Sequence, residues 1–292
     1  LHQTEKLLLT TRAMKHVLTF ALILGFIGSY LTLQGQVAQQ SQVLDIVYLK
    51  SKTAHSAYIK LETELWKPLH EARVTSGEMT AWYLFEVTYP YGSNRDYDFV
   101  AINVFPNQEG LKNQAEDSLR NLFRSLNPTV DVEEIFERTY GSRELVKGEV
   151  FSYVSGTPFF KIHQPADFVQ VNFMRVLEVV ATRYENLEKI YALPLHTERV
   201  KAGDMQNWSL LKRSLPRGVD YPYQYITVDE YSNWDMLTKE PTPGLWQIAH
   251  GEVVEQEIWA KFLEMRDLVR QETWRLVSYV HKENAVVKSR GQ

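Results

Sequence analysis

The chain contains no cysteine. That excludes disulfides, a thiolate nucleophile, a cysteine metal site and a lipid-modified cysteine anchor. The fold must rest on hydrophobic burial, and 44% hydrophobic residues in 292 supply enough for a sizeable core. Long basic runs are also missing, and the net charge is −4. Nucleic acid is therefore not an expected partner, because its phosphates demand a positive stripe. No H-x-x-x-H or H-E-x-x-H pattern occurs, so no metal site is expected. The P-loop, the dinucleotide fingerprint and G-x-S-x-G are absent as well. His55, His163, His250 and His281 stand alone in the sequence. A lone histidine is usually a structural residue, although one on a cavity wall can bind haem iron.

A full-length membrane span is missing too. Val17 to Leu31 is apolar but short, where a span needs about 20 residues. Met14-Lys15-His16 precedes it, and the polar stretch Gln34 to Gln40 follows. A basic region, a short apolar region and a small residue make a secretory signal peptide, with cleavage expected near Ala38. An uncleaved anchor is the alternative. Residues 1–13 read as an upstream extension, so 1–38 are excluded from the fold. The mature protein is expected to be secreted or periplasmic, with no integral span after cleavage.

What the chain does contain is the same module twice. Tyr58 to Asn107 align without a gap on Tyr184 to Asn233, at a constant offset of 126 residues. Sixteen of these 50 positions are identical, where chance gives roughly three. The shared core is Pro68-Leu69-His70-x-x-Arg73-Val74-x-x-Gly77-x-Met79-x-x-Trp82-x-Leu84, matched from Pro194 to Leu210. A second block, Arg143-Glu144-Leu145-Val146-Lys147-x-Glu149-x-Phe151, recurs as Arg266-Asp267-Leu268-Val269-Arg270-x-Glu272-x-Trp274.

The pattern within a module alternates between sheet and helix. Asp45 to Lys52 reads as a strand, and Ala54 to Ser76 as a helix with Leu61, Leu65, Leu69 and Ala72 on one face. Gly77 sits where a left-handed helix cap belongs. Met79–Tyr89 and Tyr97–Phe105 form a strand pair. Helices are expected over Glu109–Phe123 and Val132–Val146, then a strand over Glu149–Val154. Module two repeats this with strands Asp167–Val176, Met205–Leu215, Tyr223–Tyr231 and Glu272–Tyr279. Its helices are Leu177–Ala202 and Glu252–Arg270. Ser155 to Ala166 links the modules, which span 43–155 and 167–281. The order β-α-β-β-α-β is ferredoxin-like, an α+β class. Each such sheet leaves one face bare, so two are expected to close on each other.

This element order, the tandem repeat and the P-L-H-x-x-R-V-x-x-G-x-M-x-x-W pattern resemble the dimeric α/β-barrel superfamily with two subunits fused. The pattern is also similar to that of exported bacterial proteins. The superfamily includes cofactor-free oxygenases, haem-binding and haem-degrading proteins, and plain binding modules. Fold alone does not choose among them.

Strand alternation names the candidate site. If Val100, Ile102, Ile226 and Val228 face the helices, the opposite register looks into the space between the sheets. That register holds Tyr97, Phe99, Ala101, Asn103 and Phe105, and in module two Tyr223, Tyr225, Thr227, Asp229 and Tyr231. Gln170, Asn172 and Met174 join it. Asn103, Tyr225, Thr227 and Asp229 are the expected ligand-binding residues, with Asp229 breaking the symmetry by a charge. A packed inter-sheet core is the alternative. His70 with Arg73, and His196 with Arg199, form a second tier, because residues three apart share a helix face. For these pairs helix-end chemistry is the structural alternative. Trp82, Trp208, Leu84 and Leu210 read as core, and the recurring Arg143, Glu149, Arg266 and Glu272 as a structural ion network. Asn207-Trp208-Ser209 fits a glycosylation sequon inside an expected strand. No catalytic constellation stands out. The leading expectation is a non-catalytic exported protein with an inter-sheet cavity for a small molecule or partner, and no cofactor. The alternative is a cofactor-free or haem-dependent oxygenase-like enzyme.

Overall fold

A computed structural model describes residues 42–92, 95–157, 165–218 and 220–282. The expected signal segment and His163 lie outside them. Module one begins with β1 (Val43–Ser51) and α1 (His55–Leu61). A π-helical turn (Glu62–Trp66) leads into α2 (Lys67–Ser76), followed by β2 (Ala81–Tyr89) and β3 (Phe99–Phe105). A 3₁₀ turn (Gln108–Gln114), α3 (Glu116–Leu126), α4 (Val132–Ser142) and β4 (Arg143–Gly156) complete it. Module two runs β5 (Phe168–Val176), α5 (Ala181–Leu187), a second π turn (Glu188–Ala192), α6 (Leu193–Ala202), β6 (Asn207–Leu215) and β7 (Tyr225–Tyr231). It ends with α7 (Trp234–Thr238), α8 (Leu245–His250), α9 (Glu255–Met265) and β8 (Arg266–His281).

The repeated prolines explain the π turns. Proline lacks an amide hydrogen and cannot sit inside a regular α-helix without losing a bond. In each module the chain makes one wider turn first, with Lys67 N–H reaching Glu62 O and Leu193 N–H reaching Glu188 O. Pro68 and Pro194 then fall in the first turn of the resumed helix, where no donor is needed. Gly77 and Gly203 end these helices at φ of 82° and 74°, the left-handed cap that their positions suggest.

The eight strands form one closed antiparallel barrel in the order β1-β3-β2-β8-β5-β7-β6-β4. Each module supplies four neighbouring strands. The seams are β2 with β8, and β4 with β6. Closure removes the exposed edges that an isolated four-strand sheet would present. The expected sheet-to-sheet barrel is thus a single hydrogen-bonded cylinder with helices outside.

Two sequence expectations need correction here. The helices expected to reach Val146 and Arg270 stop at Ser142 and Met265, because β4 and β8 begin at the next residue. Leu145, Val146, Leu268 and Val269 mimic a helical apolar pattern, yet they are exposed strand residues. Second, the barrel interior is not an aromatic-walled cavity. Ile46, Phe85, Val100, Val171, Phe173, Ile226 and Trp274 meet there from both modules as a packed core.

Because each module alone would leave this interior bare, residues 42–157 expressed by themselves should dimerise or aggregate. Size-exclusion chromatography with light scattering checks this. A soluble monomer with native-like strand content would contradict the account.

Candidate active site

Closure divides the sheet into two faces, and the expected register proves inverted. Val100, Ile102, Ile226 and Val228 belong to the barrel interior. Phe99, Ala101, Phe105, Tyr225 and Tyr231 pack with the helices instead. Asn103, Thr227 and Asp229 share that outer face, since Asn103 lies opposite Trp82 and Asp229 opposite Trp208. Both tryptophans are helix-side core residues, 1% exposed. The inversion has an unplanned result. It brings the strand candidates onto the same layer as His70, Arg73, His196 and Arg199.

The repeated motif now has a physical reading. The His70 ring stacks on Trp82 at 4.8 Å, and His196 stacks on Trp208 at 4.8 Å. The histidines therefore pack against the sheet rather than complementing a helix end. Burial and the neighbouring guanidinium hold both imidazoles well below their ordinary pKa, so both are neutral. Arg199 Nη1 donates to His196 Nδ1 at 3.2 Å, which leaves the His196 proton on Nε2.

Asp229 is 9% exposed. Its carboxylate accepts from Asn172 Nδ2 at 3.3 Å, and Asn172 also donates to Thr227 Oγ1 at 3.0 Å. Gln271 Nε2 donates to Asn172 Oδ1 at 2.6 Å and fixes that amide. Burial raises the Asp229 pKa to about 6, against the lowering influence of Arg199, Asn172 and Arg266. Nearby Glu188, 3% exposed, is raised to about 7, again first by burial. Tyr225 does not join this cluster. Its hydroxyl donates to Glu185 Oε1 at 2.6 Å, which Lys212 also meets at 3.0 Å.

Asp229 is not the added charge that the alignment with Asn103 suggests. In module one Asp45 stands opposite Asn103 and accepts from its Nδ2 at 3.1 Å. In module two Gln170 stands opposite Asp229. Acid and amide have exchanged strands, so each module keeps one carboxylate at this place.

The real asymmetry lies in the arginines. Arg73 donates to Glu78 Oε1 from Nε at 2.9 Å and Nη2 at 2.7 Å. Arg143 pairs with Glu62 at 2.6 Å. Module one is thereby closed. In module two the counterpart of Glu78 is Asp204, which turns to Lys239 at 2.7 Å and to Thr242. Among the described residues neither Arg199 nor Arg266 has a carboxylate partner at salt-bridge distance. Arg266 instead meets the Met174 sulfur. Leu69, His70, Arg73 and Val74 are buried, whereas Leu195, His196, Arg199 and Val200 are half-buried. The helix layer of module two therefore holds two carboxylates raised to near neutrality, Asp229 and Glu188, and two guanidiniums without carboxylate partners; burial also raises Asp45 and Glu62 in module one, where the arginines are paired.

The other candidates scatter. Arg143 and Glu149 do not pair, and neither do Arg266 and Glu272. The arginines serve the helix layers, while both glutamates enter the barrel interior. His55 Nδ1 lies 2.8 Å from Glu86, and His250 Nε2 lies 2.9 Å from Tyr191 O. Asn207 is 4% exposed and contacts Thr157 and Glu230, which leaves no room for a glycan. Among the described residues no group of three or more His, Asp or Glu is placed to hold a metal ion, and no helix is long and apolar enough to cross a membrane. Glu188 and Arg266 were missed as site residues. The identity of Tyr58-x-x-Leu61-Glu62 with Tyr184-x-x-Leu187-Glu188 marks Glu188, and the recurrence of Arg143 as Arg266 marks the arginine.

The raised Asp229 pKa has a consequence for stability. Between pH 3.8 and about 6 the folded state holds a proton that the unfolded chain has released. Stability therefore falls as pH rises through this window. A shift near two units corresponds to roughly 3 kcal/mol as an upper figure. Asp229→Asn should make the protein more stable at pH 8 by about 1–3 kcal/mol, with the gain vanishing near pH 4. Urea unfolding at both pH values checks this.

No protein-family description matches the chain. No curated protein matches it either. Solved structures do match in fold. A candidate monooxygenase from Fusobacterium nucleatum superposes at TM-score 0.50 with 8% identity, over 83% of this chain and 95% of that one. A candidate monooxygenase from Lactobacillus acidophilus gives 0.48 at 14% identity, over 83% and 97%. A dye-decolorizing peroxidase from Bacteroides thetaiotaomicron gives 0.44 at 10%, over 85% and 94%. These likenesses speak for the fold and carry no residue roles. The filled interior overturns the inter-sheet cavity of the leading expectation. The inter-sheet cavity of a non-catalytic binder is replaced by packed side chains, and the proteins of similar fold bear enzyme names. The chain has a pseudo-dimeric α/β-barrel fold, with both ferredoxin-like halves supplied by one polypeptide.

Proposed function

We propose that the protein is an oxygenase-like enzyme that works without a cofactor, with its centre in the helix–sheet layer of module two. One observation carries this reading. Asp229 and Glu188 have pKa values near neutrality beside Arg199 and Arg266, which no carboxylate locks. Groups with that tuning are suited to proton transfer at neutral pH. Asp229 would take a proton from a weakly acidic, largely apolar molecule. Arg199 and Arg266 would stabilise the anion that forms, and the Nε2–H of His196 adds a neutral donor. Asn172, fixed by Gln271, orients the Asp229 carboxylate. Molecular oxygen would then add to the carbanion carbon to give a peroxide anion, which takes back the proton held by Asp229, and loss of water from the resulting hydroperoxide would leave the ketone.

Neither motif histidine is placed to hold haem iron. The His196 Nδ1 is taken by Arg199, its Nε2 carries the proton, and its ring lies on Trp208. His70 stacks against both Trp66 and Trp82. No step is therefore routed through haem. The reading retains export, supported by the sequence of residues 14–38. N-terminal sequencing of mature protein should return a start close to Gln39, whereas cytoplasmic protein starting at Met14 would contradict it.

The catalytic claim is tested by oxygen uptake with anthrone-type carbon acids. Asp229→Asn should lower turnover by about 100-fold or more, and Glu188→Gln should also impair it. In the wild type, kcat should rise with pH through about 6. His70→Gln, in the closed module, should leave kcat unchanged. Equal uptake in wild type and Asp229→Asn would overturn the reading.

A further inference from the structure

A second polar region lies at one end of the barrel, away from the helix layer. The chain leading into β3 brings Tyr97 there, and the chain leading into β7 brings Tyr223. β4 contributes Lys147 and Glu149, and β8 contributes their counterparts Arg270 and Glu272. Tyr97 donates to Glu272 at 2.8 Å and Trp274 Nε1 donates to it at 2.7 Å. Tyr223 donates to Glu149, which also meets Arg213 at 3.2 Å and Lys147 at 3.3 Å. Burial first, and then the adjacent carboxylate, pushes both phenols far up, so both stay protonated donors.

A cleft of about 380 Å³ opens between the modules at this place. Its walls pair Tyr97 with Tyr223, Val146 with Val269, and Lys147 with Arg270 across the pseudo-two-fold relation. That volume falls in the range of small-molecule sites. Three cations, Lys147, Arg213 and Arg270, serve two interior carboxylates. Arg213 is committed to Glu149 and its side chain is 2% exposed, while those of Lys147 and Arg270 are each 32% exposed. Asp96 stands 3.5 Å from Arg270 on the rim, 71% exposed, where screening makes such a pair weak. Arg270 Nε lies 3.2 Å from Glu272 and its Nη2 donates to Tyr97 at 2.9 Å, while Lys147 donates to Tyr223 at 2.6 Å, so the three cations exceed the two interior carboxylates by one charge. Beneath the cleft Tyr48 lies under Lys147 at 4.2 Å and beside Tyr97 at 4.7 Å. Its buried hydroxyl makes no hydrogen bond of ordinary geometry.

We propose that this cleft binds a small aromatic carboxylate. Lys147 and the outer Nη1 of Arg270, which only the exposed Asp96 meets, take the charge. The ring rests between the exposed Val146 and Val269, one from each module. The site is independent of the Asp229 layer.

Calorimetric titration of the full chain with benzoate, benzamide and acetate tests this. Benzoate should saturate one site per chain and bind at least about tenfold more tightly than uncharged benzamide or ringless acetate. Added salt should weaken it. Arg270→Gln and Lys147→Met should each weaken benzoate by about tenfold or more. Val269→Trp, at a partly exposed position outside the core, should fill the cleft and abolish binding with the fold intact. Asp229→Asn should bind benzoate like wild type. Failure of benzoate to saturate by about 10 mM would overturn the proposal. So would equal binding of benzamide, unchanged binding by Val269→Trp, or loss of binding in Asp229→Asn.

Discussion

Closure of the eight-stranded barrel is the constraint from which the rest follows. The seams of β2 with β8 and of β4 with β6 turn two open sheets into one cylinder. Every strand residue then has one of two addresses. Inside, the two modules share a single packed core. Outside, each module owns its helix layer. Differences between the modules can accumulate outside without disturbing the shared interior. The acid–base asymmetry is found there.

Module one shows what the layer looks like when it only holds structure. Arg73 and Arg143 are each neutralised by a glutamate at hydrogen-bond distance. Burying charges is costly, and a good pair offsets much of that cost. Module two keeps the same arginines, histidine, tyrosine and glutamate but withdraws the partners. Asp204 serves Lys239 and Thr242, and Glu188 has no close ion pair with Arg266. Such an arrangement stabilises the fold less than its counterpart does.

Much of the architecture was legible in the sequence. The 126-residue repeat, the helix caps at Gly77 and Gly203 and the strand–helix order all follow from local chemistry. The register of β3 and β7 was not legible. Phe99 to Phe105 is apolar on nearly every position, and both of its faces are buried, one by the barrel core and one by helices. Periodicity cannot choose between two buried faces. Assigning Asn103 and Asp229 to an inter-sheet space assumed that polar residues mark a cavity. Here they mark the layer where buried imidazoles and guanidiniums need partners. The first residues of β4 and β8 read as helix because Leu145 and Leu268 are exposed leucines in strands. The exchange of acid and amide between Asp45–Asn103 and Gln170–Asp229 was also hidden, because it requires knowing which strands pair.

The account rests on the claim that Glu188 and Asp229 titrate near neutrality because they are buried without locked partners. Carboxyl-carbon NMR of the intact protein measures this directly, residue by residue. The account predicts titration near 7 for Glu188 and near 6 for Asp229. Titration of both groups in the ordinary carboxylate range, near 4, would contradict it.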